Sequence, residues 1–149
     1  MGDNEFRQES TMGAVQKSLR LPEETVREID KLAKERGEDF SATAKNLLDE
    51  AIKMRRCPGI IFTPGVSGRR ARVAGTGIEV WEVIAQYKSL NHDQKRLQRA
   101  FHWLTPGQIK AALGYYAVYH SEIDDLIVRN EQWTEETLEK RHPALSPGV

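Results

Sequence analysis

Gln16, Ser18 and Arg20 occupy alternate positions of VQKSLRL (Val15–Leu21), and Val15, Lys17, Leu19 and Leu21 fill the positions between them. Such alternation puts the two sets on opposite faces of a strand. The polar set has the chemistry to read base edges in a DNA groove. A glutamine amide pairs bidentately with adenine, an arginine fork with guanine, and a serine hydroxyl adapts to either. Downstream, Ser41 stands where the sequence starts a helix, and the free N–H groups of a helix start can hold a phosphate.

Catalytic alternatives are thinner. The four histidines, His92, His102, His120 and His142, show no metal-ligand spacing, and no HExxH occurs. His120, placed by periodicity on an apolar helix face, reads as a packed histidine. Glu122, Asp124 and Asp125 read as a solvated acidic face. Cys57 beside Arg55 and Arg56 has no neighbouring base to make it a nucleophile, and one cysteine forms no internal disulfide. GTGIEVW (Gly75–Trp81) is not a dinucleotide fingerprint, and no GxxxxGK[ST] is present. These features predict a non-enzyme with no cofactor and no metal.

The positioning elements follow from local signals. Residues 1–13 read as a flexible arm. After the strand, Pro22 suits a helix start, with Glu23 and Glu24 favoured by the helix dipole. Val26, Ile29, Leu32 and Ala33 form one apolar face, and Gly37 ends the helix. Ser41 is expected to cap the next helix, in which Ala44, Leu47, Leu48, Ala51 and Ile52 share a stripe. One strand and two helices bury too little to stand alone, and the strand's ladder is unpaired. A second copy solves both: the strands pair antiparallel and the four helices close one core. A two-stranded ribbon also fits the major groove.

QKSLRLPEETVREIDKLAKERGEDFSATAKNLLDEAI, within residues 14–56, resembles the ribbon-helix-helix modules of Arc/MetJ/CopG type. The resemblance implies an intertwined homodimer that binds operator DNA through Gln16, Ser18 and Arg20, with Ser41, Ala42 and Thr43 as the phosphate clamp. Lys17 departs from the apolar residue usual at its position. Residues 15–56 carry a net charge of only +1, so binding rests on local contacts. The alternative is a dimer clasp that binds no DNA.

The remainder begins at Pro58-Gly59, which breaks the helix. Ile60–Phe62 and Arg69–Ala74 read as a hairpin. Val80, Val83, Ile84 and Tyr87 mark a helix, and Leu97, Ala100, Phe101 and Leu104 mark a second. Thr105–Gln108 (TPGQ) is a capping box that opens a long third helix, lined by Ile109, Ala112, Leu113, Tyr116, Ala117, His120, Ile123 and Ile127. The basic cluster Arg69, Arg70 and Arg72 suits phosphate, an acidic partner or solvent. Residues 57–131 resemble the DUF433 family, found in antitoxins of VapB-like systems. The features that carry this are Gly68-Arg69-Arg70, Val80-Trp81-Glu82-Val83, Leu104-Thr105, AALGYY (Ala111–Tyr116) and Glu122-Ile123-Asp124. The stretch YKSLNHDQKRLQRAFHWLT (Tyr87–Thr105) departs from the family's short glycine-containing turn. The resemblance implies a PIN-like ribonuclease toxin as partner. In residues 132–149, a C-terminal tail with its own short helix capped by Thr134, Trp133 and Leu138 either reach that partner or fold onto the long helix.

The expected fold is mainly α with short β: an intertwined dimeric ribbon-helix-helix followed by a small β-hairpin plus three-helix, winged-helix-like domain. The chain has 149 residues, 22 basic and 22 acidic, with no signal peptide and no apolar run long enough to span a membrane, so it is expected in the cytoplasm. The sequence reads as a type II antitoxin that represses its own operator. The alternatives are a stand-alone repressor or a dimerising interaction module.

Overall fold

The structure, a computed structural model, describes residues 13–65 and 68–141, with 132–141 described by backbone alone. The described residues form six helices and one two-stranded antiparallel sheet. The chain divides into two compact units, Met1–Leu47 and Leu48–Val149.

In the first unit, residues 14–22 form no helix and no paired strand. Helix α1 (Glu23–Arg36) follows. Pro22 stands just outside it as the N-cap, its carbonyl accepting from the Val26 N–H at 3.1 Å, with Glu23 and Glu24 in the first turn. Gly37 ends the helix at φ 66°, a left-handed conformation that costs a residue without Cβ nothing. Its N–H reaches Lys34 O and the Glu38 N–H reaches Ala33 O, the paired bonds of a Schellman cap. Ile29 and Ala33 are buried, as periodicity predicts.

Helix α2 (Phe40–Arg56) opens earlier than the sequence suggests. Asp39, not Ser41, caps it: its carboxylate accepts from the Ala42 N–H at 2.8 Å, and its carbonyl from the Thr43 N–H at 3.1 Å. Two cap-forming residues lie two positions apart, and the helix starts from the first. The apolar stripe of α2 faces water at Leu48, Ala51 and Ile52, with Leu48 61% exposed. The buried side carries Thr43, Glu50 and the half-buried Lys53.

The second unit takes in the C-terminal half of α2. Strands β1 (Ile60–Gly65) and β2 (Gly68–Val73) pair from Ile60 opposite Val73 to Gly65 opposite Gly68. Helices α3 (Val80–Ser89), α4 (Gln94–Ala100), α5 (Pro106–Val118) and α6 (His120–Arg141) follow. Gly59 makes the turn into β1 at φ 90°, and a Cβ there would come 3.0 Å from the Ala111 Cβ of α5. The hairpin's inward residues Ile60, Ala71 and Val73 join Val80, Val83, Ile84, Leu97, Leu104, Ile109, Ala112, Tyr115, Ile123 and Ile127 in one core. The Thr105–Gln108 capping box is present in both directions, at 2.9 and 3.1 Å.

The sequence predicts one long helix where the structure has two. The chain breaks at Tyr119 (φ −119°, ψ 43°), between α5 and α6. A straight helix would carry Ile123 and Ile127 away from the core that holds Ile109 and Ala112; the break returns them to it. It falls in Val118–Ser121 (VYHS), four consecutive residues of modest helix propensity. Ala117 and His120 are exposed, correcting their expected place on the apolar face, and Tyr115 takes the central position. Residues 132–141 continue α6 and do not start a separate short helix. The helices behind the hairpin therefore number four where three were expected.

Candidate nucleic-acid interface

Gln16, Ser18 and Arg20 are exposed, and so are Val15, Lys17, Leu19 and Leu21, with Leu19 70% exposed. In the single chain, then, both faces of the segment are open.

At the start of α2 the three expected clamp residues have different surroundings. Thr43 is fully buried and its hydroxyl donates to the Glu38 carboxylate at 3.3 Å. The Ala42 N–H is taken by Asp39. Ser41 is the exposed member. Glu38 and Asp39 bring negative charge to the helix start, where it is favoured by the dipole and competes with a phosphate.

The arginine cluster also divides. Arg69 is committed within its unit: Nε donates to Glu50 Oε1 at 2.6 Å and Nη2 to the Phe62 carbonyl at 2.9 Å. Arg70 and Arg72 are half-buried. Arg72 lies near Glu82 at the start of α3. Burial pushes the Glu82 carboxyl above its ordinary range, against the Glu79 amide bond and the Arg72 charge. The side chains of Trp133 and Leu138 lie outside the described residues.

Sequence reasoning missed two clasps on α6. Glu122 and Asp124, read as part of a solvated face, each hold one lysine and one tyrosine. Glu122 pairs with Lys53 and accepts from the Tyr115 hydroxyl at 2.5 Å. Asp124 pairs with Lys88 at 2.5 Å and accepts from the Tyr116 hydroxyl at 2.9 Å. Asp125 is exposed. Lys53 also pairs with Asp49 at 3.1 Å and lies over the Tyr119 ring at 5.2 Å; Lys88 lies over Tyr116 at 5.3 Å. The available signal was two adjacent tyrosines upstream of two acids spaced i, i+2.

Charge states follow from these contacts. Burial alone would lower the Lys53 ammonium, but its bonds to Glu122 and Asp49 outweigh that and hold it above its ordinary value. Burial first, and then the bond to Glu122, push the Tyr115 phenol far upward, so it stays protonated and serves as a donor. Burial likewise raises the Cys57 thiol, against the Arg56 charge. None of these groups is set up as a base or nucleophile at neutral pH. Among the described residues no three His, Cys, Asp or Glu side chains converge to hold a metal, and no helix is long and apolar enough to cross a membrane.

The outer clasp gives a pH prediction. The Lys88 hydrogen bond, aided by Tyr116, lowers Asp124; the same bond raises Lys88. Asp124's contribution is therefore complete above the ordinary carboxylate range and lost as pH falls through its lowered folded value. Lys88's is complete below the ordinary ammonium range and lost as pH rises through its raised one. Both side chains are more than a third exposed, so solvent screening limits the pair to about 0.5 kcal/mol. Asp124→Asn should lower the urea midpoint slightly at neutral pH, and the difference from wild type should vanish in acid.

Comparison with known proteins finds a family match inside the second unit. Residues 60–116 match the family described as "Protein of unknown function (DUF433)", so a DUF433 domain is present. It lies within the 57–131 stretch that carries the resemblance in sequence. Among solved structures, the chain is similar to the crystal structure of a DUF433 member protein from Anabaena variabilis ATCC 29413. The identity is 26%, over 86% of this chain and 99% of that one, with a TM-score of 0.40. No curated protein matches the chain.

Proposed function

We propose that the chain is a DNA-binding antitoxin that acts by binding and not by catalysis. Residues 14–56 form an intertwined ribbon-helix-helix homodimer, and its ribbon reads a palindromic operator through Gln16, Ser18 and Arg20. The DUF433 domain, taken as a winged-helix-like unit, engages a PIN-like ribonuclease toxin in the cytoplasm, and toxin binding joins several dimers on the operator. The observation that carries the dimeric reader is the alternating segment itself. Its apolar residues Val15, Leu19 and Leu21 lie in water, its backbone is unpaired, and its polar residues are free to meet bases. A second copy of the segment would bury the apolar face and satisfy the ladder. The exposed stripe of α2, Leu48, Ala51 and Ile52, separately calls for a cover.

The test is a gel shift on the protein's own promoter at two salt concentrations, with sedimentation to give the oligomeric state. A dimer whose specific, salt-sensitive shift disappears in the Gln16/Ser18/Arg20 triple-alanine variant is the expected result. A shift indifferent to those changes would leave the module as a dimer clasp. Co-purification of a ribonuclease with the chain is the corresponding test of the toxin.

A further inference from the structure

The corner between α3 and α5 shares no residue with the ribbon and takes no part in the clasps. It lies in the stretch where the sequence departs from the DUF433 pattern. It is held from both ends. Asn91 and His92 turn the chain with consecutive left-handed φ angles of 54° and 60°, and Asp93 caps α4 through the N–H groups of Lys95 and Arg96 at 3.0 and 3.2 Å. At the far end the Gln98 amide donates to the carbonyls of Phe101 (3.3 Å) and Leu104 (2.7 Å), while Leu97 and Leu104 are buried beneath.

This fixed turn presents Trp103 with 55% of its surface in water, its ring edge-on to Phe101 at 5.9 Å and 82°. His102 beside it is exposed. Lys95 and Arg99 stand one helical turn apart, with Arg96 and Arg99 at i, i+3, and all three are exposed. From Gln94 to Thr105 there is no acidic residue. Asp93 offsets part of this charge, 4.0 Å from Arg96 Nε.

We propose that this corner binds single-stranded nucleic acid, with Trp103 stacking on an unpaired base and Lys95, Arg96 and Arg99 holding the phosphates. The three cations select a polyanion. The open indole selects among polyanions: carboxylate side chains have no ring face to stack, and a duplex keeps its base faces covered. A ring already held in place loses little freedom on binding, so its stacking is realised as affinity.

The test is the fluorescence anisotropy of labelled oligothymidylate and oligouridylate titrated with the full chain. Wild type should bind, and Trp103→Ala should weaken binding about tenfold. The Lys95→Gln/Arg99→Gln variant should reduce the salt slope by about 1.4, two phosphate contacts' worth. Lys95 and Arg99 are exposed, so the melt of their variant should match wild type, whereas Trp103→Ala gives up its packing on Phe101 and should melt slightly lower while remaining folded at the temperature of the titration. The Gln16/Ser18/Arg20 variant should bind the single strand as wild type does, which keeps this result separate from the operator's. No binding at low salt would overturn the proposal, as would equal binding by folded Trp103→Ala or loss of binding in the ribbon variant. Displacement by polyglutamate or by duplex as effective as by unlabelled single strand would also overturn it, marking an acidic-peptide or duplex surface instead.

Discussion

Replacing Tyr115 by alanine should lower stability by about 3–5 kcal/mol, the range for deleting a buried aromatic ring. Tyr115 is fully buried, lies 4.9 Å from the Tyr119 ring and 6.3 Å from Phe62, and sits where α5 meets the hairpin. Its loss leaves a cavity lined by a rigid core. It also strips Glu122 of one hydrogen bond, so the lysine clasp loses its second anchor. Tyr115→Phe separates these effects. The ring stays, only the hydroxyl goes, and Lys53 still neutralises Glu122, so the cost should be about 1–2 kcal/mol. Urea unfolding followed by circular dichroism measures both. Equal losses in the two variants would mean that the hydroxyl, not the ring, dominates.

The Arg69–Glu50 pair should give the next largest effect. Glu50's side chain is only 11% exposed and Arg69's 29%. Arg69→Ala strands a carboxylate with little access to water and removes a donor from the Phe62 carbonyl. Breaking a buried pair costs about 3–5 kcal/mol; the partial exposure of Arg69 puts this one near the lower end. Arg69→Met with Glu50→Leu removes both charges and should recover most of the loss, because apolar side chains of similar volume leave no stranded charge. Arg69→Lys keeps the charge without the fork and should fall between. A double variant no more stable than Arg69→Ala would show that the pair's attraction, not the stranded charge, sets the cost.

These two predictions fall on contacts that sequence reading reaches unequally. Gly37's cap, the Thr105–Gln108 box and the hairpin were legible because each is a local signal, complete within a few residues. Tyr119's break was not, because no proline or glycine marks it; it follows from where Ile123 and Ile127 must go. The clasps were hidden for a different reason. Lys53 and Glu122 lie 69 positions apart, and nothing along the chain tells an acid waiting for a lysine from one facing water. Periodicity placed the apolar stripe of α2 but not its surroundings: Leu48 and Ile52 face solvent while Glu50, on the other side, is buried. The Gln16, Ser18 and Arg20 alternation is a clear pattern in sequence, yet the single chain leaves that segment without a ladder partner, and the second copy that would pair it is part of the proposal.

Cys57 has a practical consequence. It is the chain's single cysteine, it sits in the core of the second unit at 5% exposure, and burial holds its thiol protonated. A thiol reagent can therefore reach it only when that core opens. The chain carries its own clock for the opening of this unit, read as a labelling rate with no residue introduced. A ligand that bound the DUF433 domain, whether a protein or a strand of nucleic acid, would slow the clock in proportion to its occupancy. The slowing would report binding wherever on the domain the ligand sat.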